Sequence, residues 1–224
     1  MNKLLIWDID GTILDCKGCG RKALSNAFKE LYGHENAFND VDLTGKIDIE
    51  VIEEIVDKYG IYNFNSHEFT KEYGENLKRF MEITEGVKLI DGVGNFLKKY
   101  SNEKNYFFSI ATGNCKIGAK GKLTHCDVNH YFRTGAYGDE ARNRKELVNI
   151  AIENAKRYYQ IDFLKENIYY FGDTPKDIEA AKFNEVKSIA LSTGFYSYDV
   201  LNGHGPDYLL TDLKDLKNAE KIFK

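Results

Sequence analysis

An α/β fold, a doubly wound parallel sheet with an inserted helical segment, is what this 224-residue sequence predicts. Three observations carry the expectation. From Gly86 onward, strand-sized apolar runs alternate with helix-sized amphipathic ones, the pattern of a parallel sheet with helices on both faces. Three of the apolar runs end in residues suited to a metal or an anion, and an open α/β sheet binds its ligands beyond the carboxyl ends of its strands. Between the first run and the others, residues 16–86 read as helical, an excursion from the sheet rather than a part of it.

The first run, Lys3-Leu4-Leu5-Ile6-Trp7, reads as a buried strand, short and nearly continuously hydrophobic. It stops at Asp8-Ile9-Asp10-Gly11-Thr12. Side chains at i and i+2 of an extended chain point the same way, so Asp8 and Asp10 can face one site. Two unpaired acids at a buried strand end are costly unless a cation or hydrogen bonds compensate them. A magnesium ion would do so, and a carboxylate can also attack phosphorus. The plainer alternative is an Asp-Gly turn closing a strand.

Three helices follow. Ala23, Leu24, Ala27, Phe28 and Leu31 share one face at helical spacing. Ile49, Ile52, Ile55, Val56 and Tyr59 form a second face closed by Gly60. Phe69, Tyr73, Leu77 and Phe80 form a third, with Ser66 as its expected cap. All three are core stripes. A helix over Asn95–Tyr100 then leads to the strand Tyr106–Ala111, which ends at Thr112-Gly113-Asn114. There a hydroxyl sits at a strand end, before a glycine that lets backbone N–H groups approach an anion. A further helix is expected over Glu146–Tyr159, then a strand over Ile168–Phe171 that ends at Gly172-Asp173-Thr174-Pro175-Lys176-Asp177. Asp173 or Thr174 is suited to cap the next helix, with Pro175 at its first position and Asp177 favoured by the helix dipole. Short strands over Val186–Leu191 and Tyr208–Leu210 complete the sheet.

Composition narrows the partners. Lys and Arg total 31 against 35 Asp and Glu, a formal net charge of −4, with no concentrated basic tract. That balance argues against nucleic acid or an anionic membrane surface as the main partner. No apolar stretch is long enough to span a bilayer, and Met1-Asn2-Lys3 enters the first strand directly, so no signal peptide and a cytoplasmic location are expected. No feature speaks to oligomeric state. Four cysteines occur. Cys16-Lys17-Gly18-Cys19 has the spacing of half a zinc site or a redox pair, but no second pair completes it, and two free thiols are the preferred reading.

Taken together and in this order, the motifs resemble those of the haloacid dehalogenase superfamily of phosphohydrolases. Its signatures are Asp-x-Asp-Gly-Thr, a strand-terminal Ser or Thr, a downstream Lys or Arg, and Gly-Asp-x-x-x-Asp. Asp8 and Asp10 match the first, Thr112 the second, Asp173 and Asp177 the fourth, so the resemblance spans nearly the whole chain. The third motif departs from the usual Lys-Pro. Within Gly138-Asp139-Glu140-Ala141-Arg142-Asn143-Arg144-Lys145-Glu146-Leu147, the favoured register places Arg144 on the family lysine, with Lys145 the rival. The overall resemblance is to phosphoglycolate-phosphatase-like members. It implies a core formed by residues 1–15 and 87–224 and a helical cap formed by residues 16–86.

The resemblance further implies a magnesium-dependent phosphatase acting on a small phosphorylated metabolite. Asp8 would be the nucleophile and Asp10 the general acid and base. Magnesium would be held by Asp8, the Asp10 carbonyl and Asp173, with Asp177 orienting its surroundings. Thr112, the backbone near Gly113 and Asn114, and Arg144 would bind the phosphoryl oxygens. Dehalogenases need neither the second acid nor magnesium, so Asp10 and Asp173 argue against that activity. β-Phosphoglucomutases share the core motifs, but their cap loop carries an Arg and a Ser where this chain reads Leu43-Thr44-Gly45-Lys46-Ile47-Asp48. Phosphonatases use a cap lysine. Lys46 ranks first among cap residues for facing substrate, beside the simpler reading of a loop followed by a helix start that favours Asp48. A non-catalytic member, binding phosphate or a partner protein, would lack the nucleophile or the acid, and neither is missing.

Overall fold

A computed structural model describes residues 1–223. Its strands are β1 (Lys3–Trp7), β2 (Leu14–Asp15), β3 (Lys88–Leu89), β4 (Tyr106–Ala111), β5 (Thr134–Ala136), β6 (Ile168–Gly172), β7 (Lys187–Leu191) and β8 (Tyr208–Leu210). Its α-helices are α1 (Cys19–Tyr32), α2 (Asp48–Tyr59), α3 (Ser66–Ile83), α4 (Val93–Ser101), α5 (Lys116–His125), α6 (Arg144–Tyr159), α7 (Pro175–Phe183), α8 (Tyr198–Gly203) and α9 (Leu216–Glu220).

Why the strands read as unbroken apolar runs is plainest in β1. Leu4 to Trp7 are wholly buried, yet alternate side chains enter different cores: Leu5 and Trp7 on one face, Leu4 and Ile6 on the other. In β6, Tyr169 and Phe171 join the first core, Ile168 and Tyr170 the second. A strand covered on both faces buries its side chains whichever way they point, so its sequence reads as an apolar run and not as an alternation. Helix α4 supplies Val93, Phe96, Leu97 and Tyr100 to the first core. Helix α6 supplies Leu147, Val148, Ala151, Ile152 and Ala155 to the second.

Six strands pair in parallel in the order β5-β4-β1-β6-β7-β8. The chain builds outward from β1 through β4 to β5, then crosses back to β6 on the other side of β1. The order therefore switches beside β1, where helices leave towards opposite faces and a crevice opens at the carboxyl ends of β1, β4 and β6.

Helices α1, α2 and α3 leave the sheet between β2 and β3. These two short strands pair antiparallel, Leu14 opposite Leu89 and Asp15 opposite Lys88, where the excursion departs and returns. Helix α3 packs on α1 and also on α5. Two expectations for these helices are corrected. The cap of α3 is Asn65, whose side chain accepts from the Glu68 N–H at 3.2 Å, and Ser66 is the first helical residue. In α2 the buried positions are Val51 and Ile55, while Ile49 is exposed. Ile49 lies about 200° around the helix from Val51, on the opposite face. The short elements β2, β3, β5, α5 and α8 carry too little periodicity to be read from sequence. No helix among the described residues is long and apolar enough to cross a membrane.

Candidate active site

A cavity of about 560 Å³ opens at the switch point, lined by Asp8, Asp10, Thr112, Gly113, Asn114, Arg144 and Asp173 from the sheet side and by Lys46, Asp48 and Tyr73 from the helical insert. Three of the sheet-side residues stand just past buried strands: Asp8 follows β1, Thr112 follows β4, and Asp173 follows β6.

Asp8 and Asp10 both line this cavity, but they take different cations. Asp8 Oδ1 accepts from Arg144 Nη1 at 2.9 Å. Asp10 Oδ2 accepts from Lys122 Nζ at 2.6 Å and from Asn114 Nδ2 at 2.7 Å, and its Oδ1 accepts from Cys16 Sγ at 3.2 Å. Burial drives the Asp8 carboxyl up to about 6 against the pull of Arg144. For Asp10 burial also pushes upward, but Lys122, Asn114 and Cys16 outweigh it and hold the carboxyl below its usual range.

Arg144 is the first residue of α6 and is buried. The Asn143 side chain starts that helix by accepting from the Glu146 N–H at 3.0 Å. The same Arg144 nitrogen that reaches Asp8 lies 3.3 Å from Tyr170 Oη and 3.4 Å from Asp177 Oδ1. Its Nε is buried without an acceptor among the described residues. Lys145 instead lies exposed, its ammonium over the Phe183 ring.

Asp8, Asp173 and Asp177 bring carboxylate oxygens within 4.8 Å of one another, all three buried. Asp177 is already engaged. One oxygen accepts from Tyr170 Oη at 2.8 Å, and the other accepts from the Thr174 N–H at 3.1 Å and from Thr174 Oγ1 at 2.7 Å, closing a capping box on α7. Among the described residues Asp173 accepts only from Thr12 Oγ1, at 3.2 Å, and burial with Asp177 and Asp8 nearby raises its carboxyl well above the usual range. Gly11 stands beside it at φ +76°, where a Cβ would fall 2.4 Å from Asp173 Oδ2.

The Thr112-Gly113-Asn114 turn does more than present N–H groups. Asn114 Nδ2 is shared between Thr112 Oγ1, at 2.9 Å, and Asp10. Gly113 is required by its neighbour: a Cβ there would lie 2.3 Å from the Lys46 carbonyl oxygen, so only glycine lets that loop approach. Lys46, which lines the cavity, pairs its ammonium with Glu54 at 2.8 Å. From this loop it is Asp48 that reaches the strand-end turn. Its N–H donates to the Gly113 carbonyl at 2.7 Å and its Oδ2 accepts from the Cys115 N–H at 2.8 Å.

Burial raises the Asp48 carboxyl from 3.8 to about 6. Between those values the folded chain holds a proton the unfolded chain releases, so ionising Asp48 costs stability progressively as pH rises through that window. Asp48→Asn keeps an acceptor for the Cys115 N–H and removes the charge. The variant's melting temperature should therefore gain on the wild type more at pH 8 than at pH 4.5. Thermal unfolding at both values checks this, and an equal or smaller gain at pH 8 refutes it.

Sequence reasoning missed Lys122, Tyr170, Asp48's contact with the strand-end turn and the thiol of Cys16. Lys122 left one trace, a lysine on the stripe of Gly118, Ala119 and Leu123 that α5 buries. Tyr170 left none, because a tyrosine in an apolar run announces a core position and not its hydroxyl. Cys16 and Cys19 are free and buried, without a disulfide.

Comparison with known proteins gives this fold a family. The sequence profile of the haloacid dehalogenase-like hydrolases matches residues 5–191, and the chain belongs to that family. Among curated proteins none matches. Solved structures do. CbbY from Rhodobacter sphaeroides, crystallised in complex with phosphate, is 18% identical over 96% of each chain with a TM-score of 0.69. A candidate β-phosphoglucomutase from Thermotoga maritima is 21% identical over 98% of each chain with a TM-score of 0.65. A protein from Haemophilus somnus assigned as a phosphoglycolate phosphatase on prediction is 17% identical over 98% of each chain, with a TM-score of 0.67. At these identities the likeness is one of fold.

Proposed function

We propose that the protein is a magnesium-dependent phosphatase that hydrolyses a small phosphomonoester through an aspartyl-phosphate on Asp8, with residues 16–86 acting as a cap over a core of residues 1–15 and 87–224. The observation that carries this is the crowding of acids at the strand ends. Asp8, Asp173 and Asp177 crowd buried carboxyl oxygens within 4.8 Å of one another around one cation, Arg144, while Lys122 is taken by Asp10. A divalent cation relieves that crowding, and the hard carboxylate oxygens suit magnesium. Asp8 and Asp173, with the Asp10 carbonyl, would hold it, and Asp177, its oxygens already committed, would support them from behind. When bound, the ion offsets the repulsion between an anionic nucleophile and an anionic phosphoryl group.

In this reading an Asp8 oxygen forms a bond to phosphorus as the bond to the leaving oxygen breaks. Arg144 lines the cavity that takes the phosphoryl oxygens and fixes Asp8 with Nη1. Thr112 and the backbone of Gly113 and Asn114 complete the anion site. Asp10, held ionised by Lys122, takes a proton from an ester bound as its monoanion and gives it to the leaving oxygen; it then takes one from the water that attacks the aspartyl-phosphate and passes it to the departing inorganic phosphate, freeing Asp8. The insert closes the cavity from above with Asp48 and Tyr73 among its walls, excluding bulk water from the intermediate.

Turnover of p-nitrophenyl phosphate with and without metal tests the reading. Chelator-treated protein should fall to background, magnesium should restore it, and calcium should bind and inhibit because its looser, larger coordination shell misplaces the attacking groups. Full activity after chelation would remove magnesium from the mechanism.

A further inference from the structure

Lysine is rarely buried without a reason, because the ammonium must be desolvated. Lys122 is 2% exposed, on a helix face otherwise made of small and apolar residues. Its Nζ lies 2.6 Å from Asp10 Oδ2 and 2.6 Å from Asn114 Oδ1. The surroundings are shaped for it. On α1, Gly20 stands across from the ammonium, where a Cβ would make ordinary contact with Nζ at 3.4 Å. Asn114 offers its oxygen to Lys122 and its nitrogen to Asp10, closing a three-membered ring of contacts, while Cys16 takes the second carboxylate oxygen. Arg144 makes no part of this cluster. The cavity therefore has two buried cations, each holding its own aspartate, on two different elements of the core.

We propose that Lys122 is the positioning residue for Asp10: together with Asn114 and Cys16 it fixes the carboxylate in one orientation, apart from the Asp8–Arg144 pair, so that Asp8 is free to face phosphorus while Asp10 faces the leaving oxygen. The role of Asp10 rests on the phosphatase reading above; the clamp itself does not. A carboxylate left to rotate would spend most of its time out of line with the leaving oxygen, and in-line geometry is worth orders of magnitude in rate. Lys122 thus acts on turnover through Asp10 and not through phosphate binding.

The test is a double-mutant cycle with p-nitrophenyl phosphate and magnesium. Lys122→Met, which keeps length and removes every donor, should lower kcat by about 10²-fold while KM and the inhibition constant of inorganic phosphate move by less than about threefold. In an Asp10→Asn background the same substitution should cost less than about threefold more, because its effect passes through the group already lost. Lys122→Gln, which retains one donor to Asp10, should recover part of the rate. It also replaces the methionine variant if thermal unfolding shows the latter is not folded. Equal losses in both backgrounds, or a tenfold rise in the phosphate constant with kcat unchanged, would overturn the proposal. A readout independent of turnover separates its failure from that of the phosphatase reading. The ¹H–¹⁵N spectrum of lysine ammonium groups should show one exchange-protected signal that vanishes in Lys122→Met and shifts in Asp10→Asn. A wild-type protein that shows that signal but turns over no phosphomonoester would defeat the phosphatase reading and leave the clamp standing; one without the signal would defeat the clamp.

Discussion

Asp8→Asn should reduce phosphomonoester turnover by at least about 10³-fold while leaving the protein folded. The side chain keeps its size and can still meet Arg144 through its carbonyl oxygen, in place of the 2.9 Å ion pair. What disappears is the anionic oxygen that attacks phosphorus. The substitution also removes a buried negative charge whose carboxyl burial already pushes up to about 6, so the fold should not suffer and should gain stability at neutral pH. The two effects point in opposite directions, which makes the result easy to read. A variant that melts no lower than the wild type and yet is inactive fits a nucleophile. Wild-type-like turnover would exclude Asp8 from the chemistry. A loss explained by unfolding would show as a lower melting temperature.

The sheet was legible because its strands are buried on both faces. Lys3–Trp7 and Tyr106–Ala111 are strands over the residues their apolar runs span, and Ile168–Phe171 extends by one residue to Gly172. Such runs cannot be mistaken for amphipathic helices, and their ends point to the crevice. Helices with a mixed or small-residue face were not legible in the same way. The buried face of α5 is made of Gly118, Ala119, Lys122 and Leu123, which no hydrophobic period reveals, and so the cation beside Asp10 stayed hidden. The i, i+2 rule for Asp8 and Asp10 is met in that both line one cavity. What the rule cannot supply is the cation each one meets, because Arg144 and Lys122 arrive from helices far along the chain. Lys46 in the insert loop lines the same cavity, with its ammonium on Glu54, eight residues on. In that loop it is the backbone, packed on Gly113, and the carboxylate of Asp48 that meet the core.

Arg144→Ala should lower phosphate affinity and turnover together, by about 10² to 10³-fold in kcat/KM, with Arg142→Ala and Lys145→Ala nearly silent. The three basic residues stand within four positions, and their surroundings differ completely. Arg142 is exposed and contributes a backbone N–H to Glu146 at 2.8 Å. Lys145 is exposed over Phe183. Arg144 alone is buried, with Asp8, Asp177 and the Tyr170 hydroxyl around one nitrogen and an unpaired Nε beside it. Truncating it leaves two buried carboxylates without their cation, the costly half of any buried ion pair. Some loss of stability should therefore accompany the kinetic loss, and Arg144→Lys separates the two. A lysine restores the charge at the helix start but, as a single point donor, cannot bridge Asp8, Asp177 and an incoming phosphoryl oxygen at once. It should recover much of the melting temperature and only part of the phosphate affinity. Inhibition constants for inorganic phosphate, measured beside unfolding curves for all four variants, decide the matter. If Lys145→Ala proves crippling and Arg144→Ala mild, the third motif belongs to Lys145 and the anion site lies on the other side of the helix start.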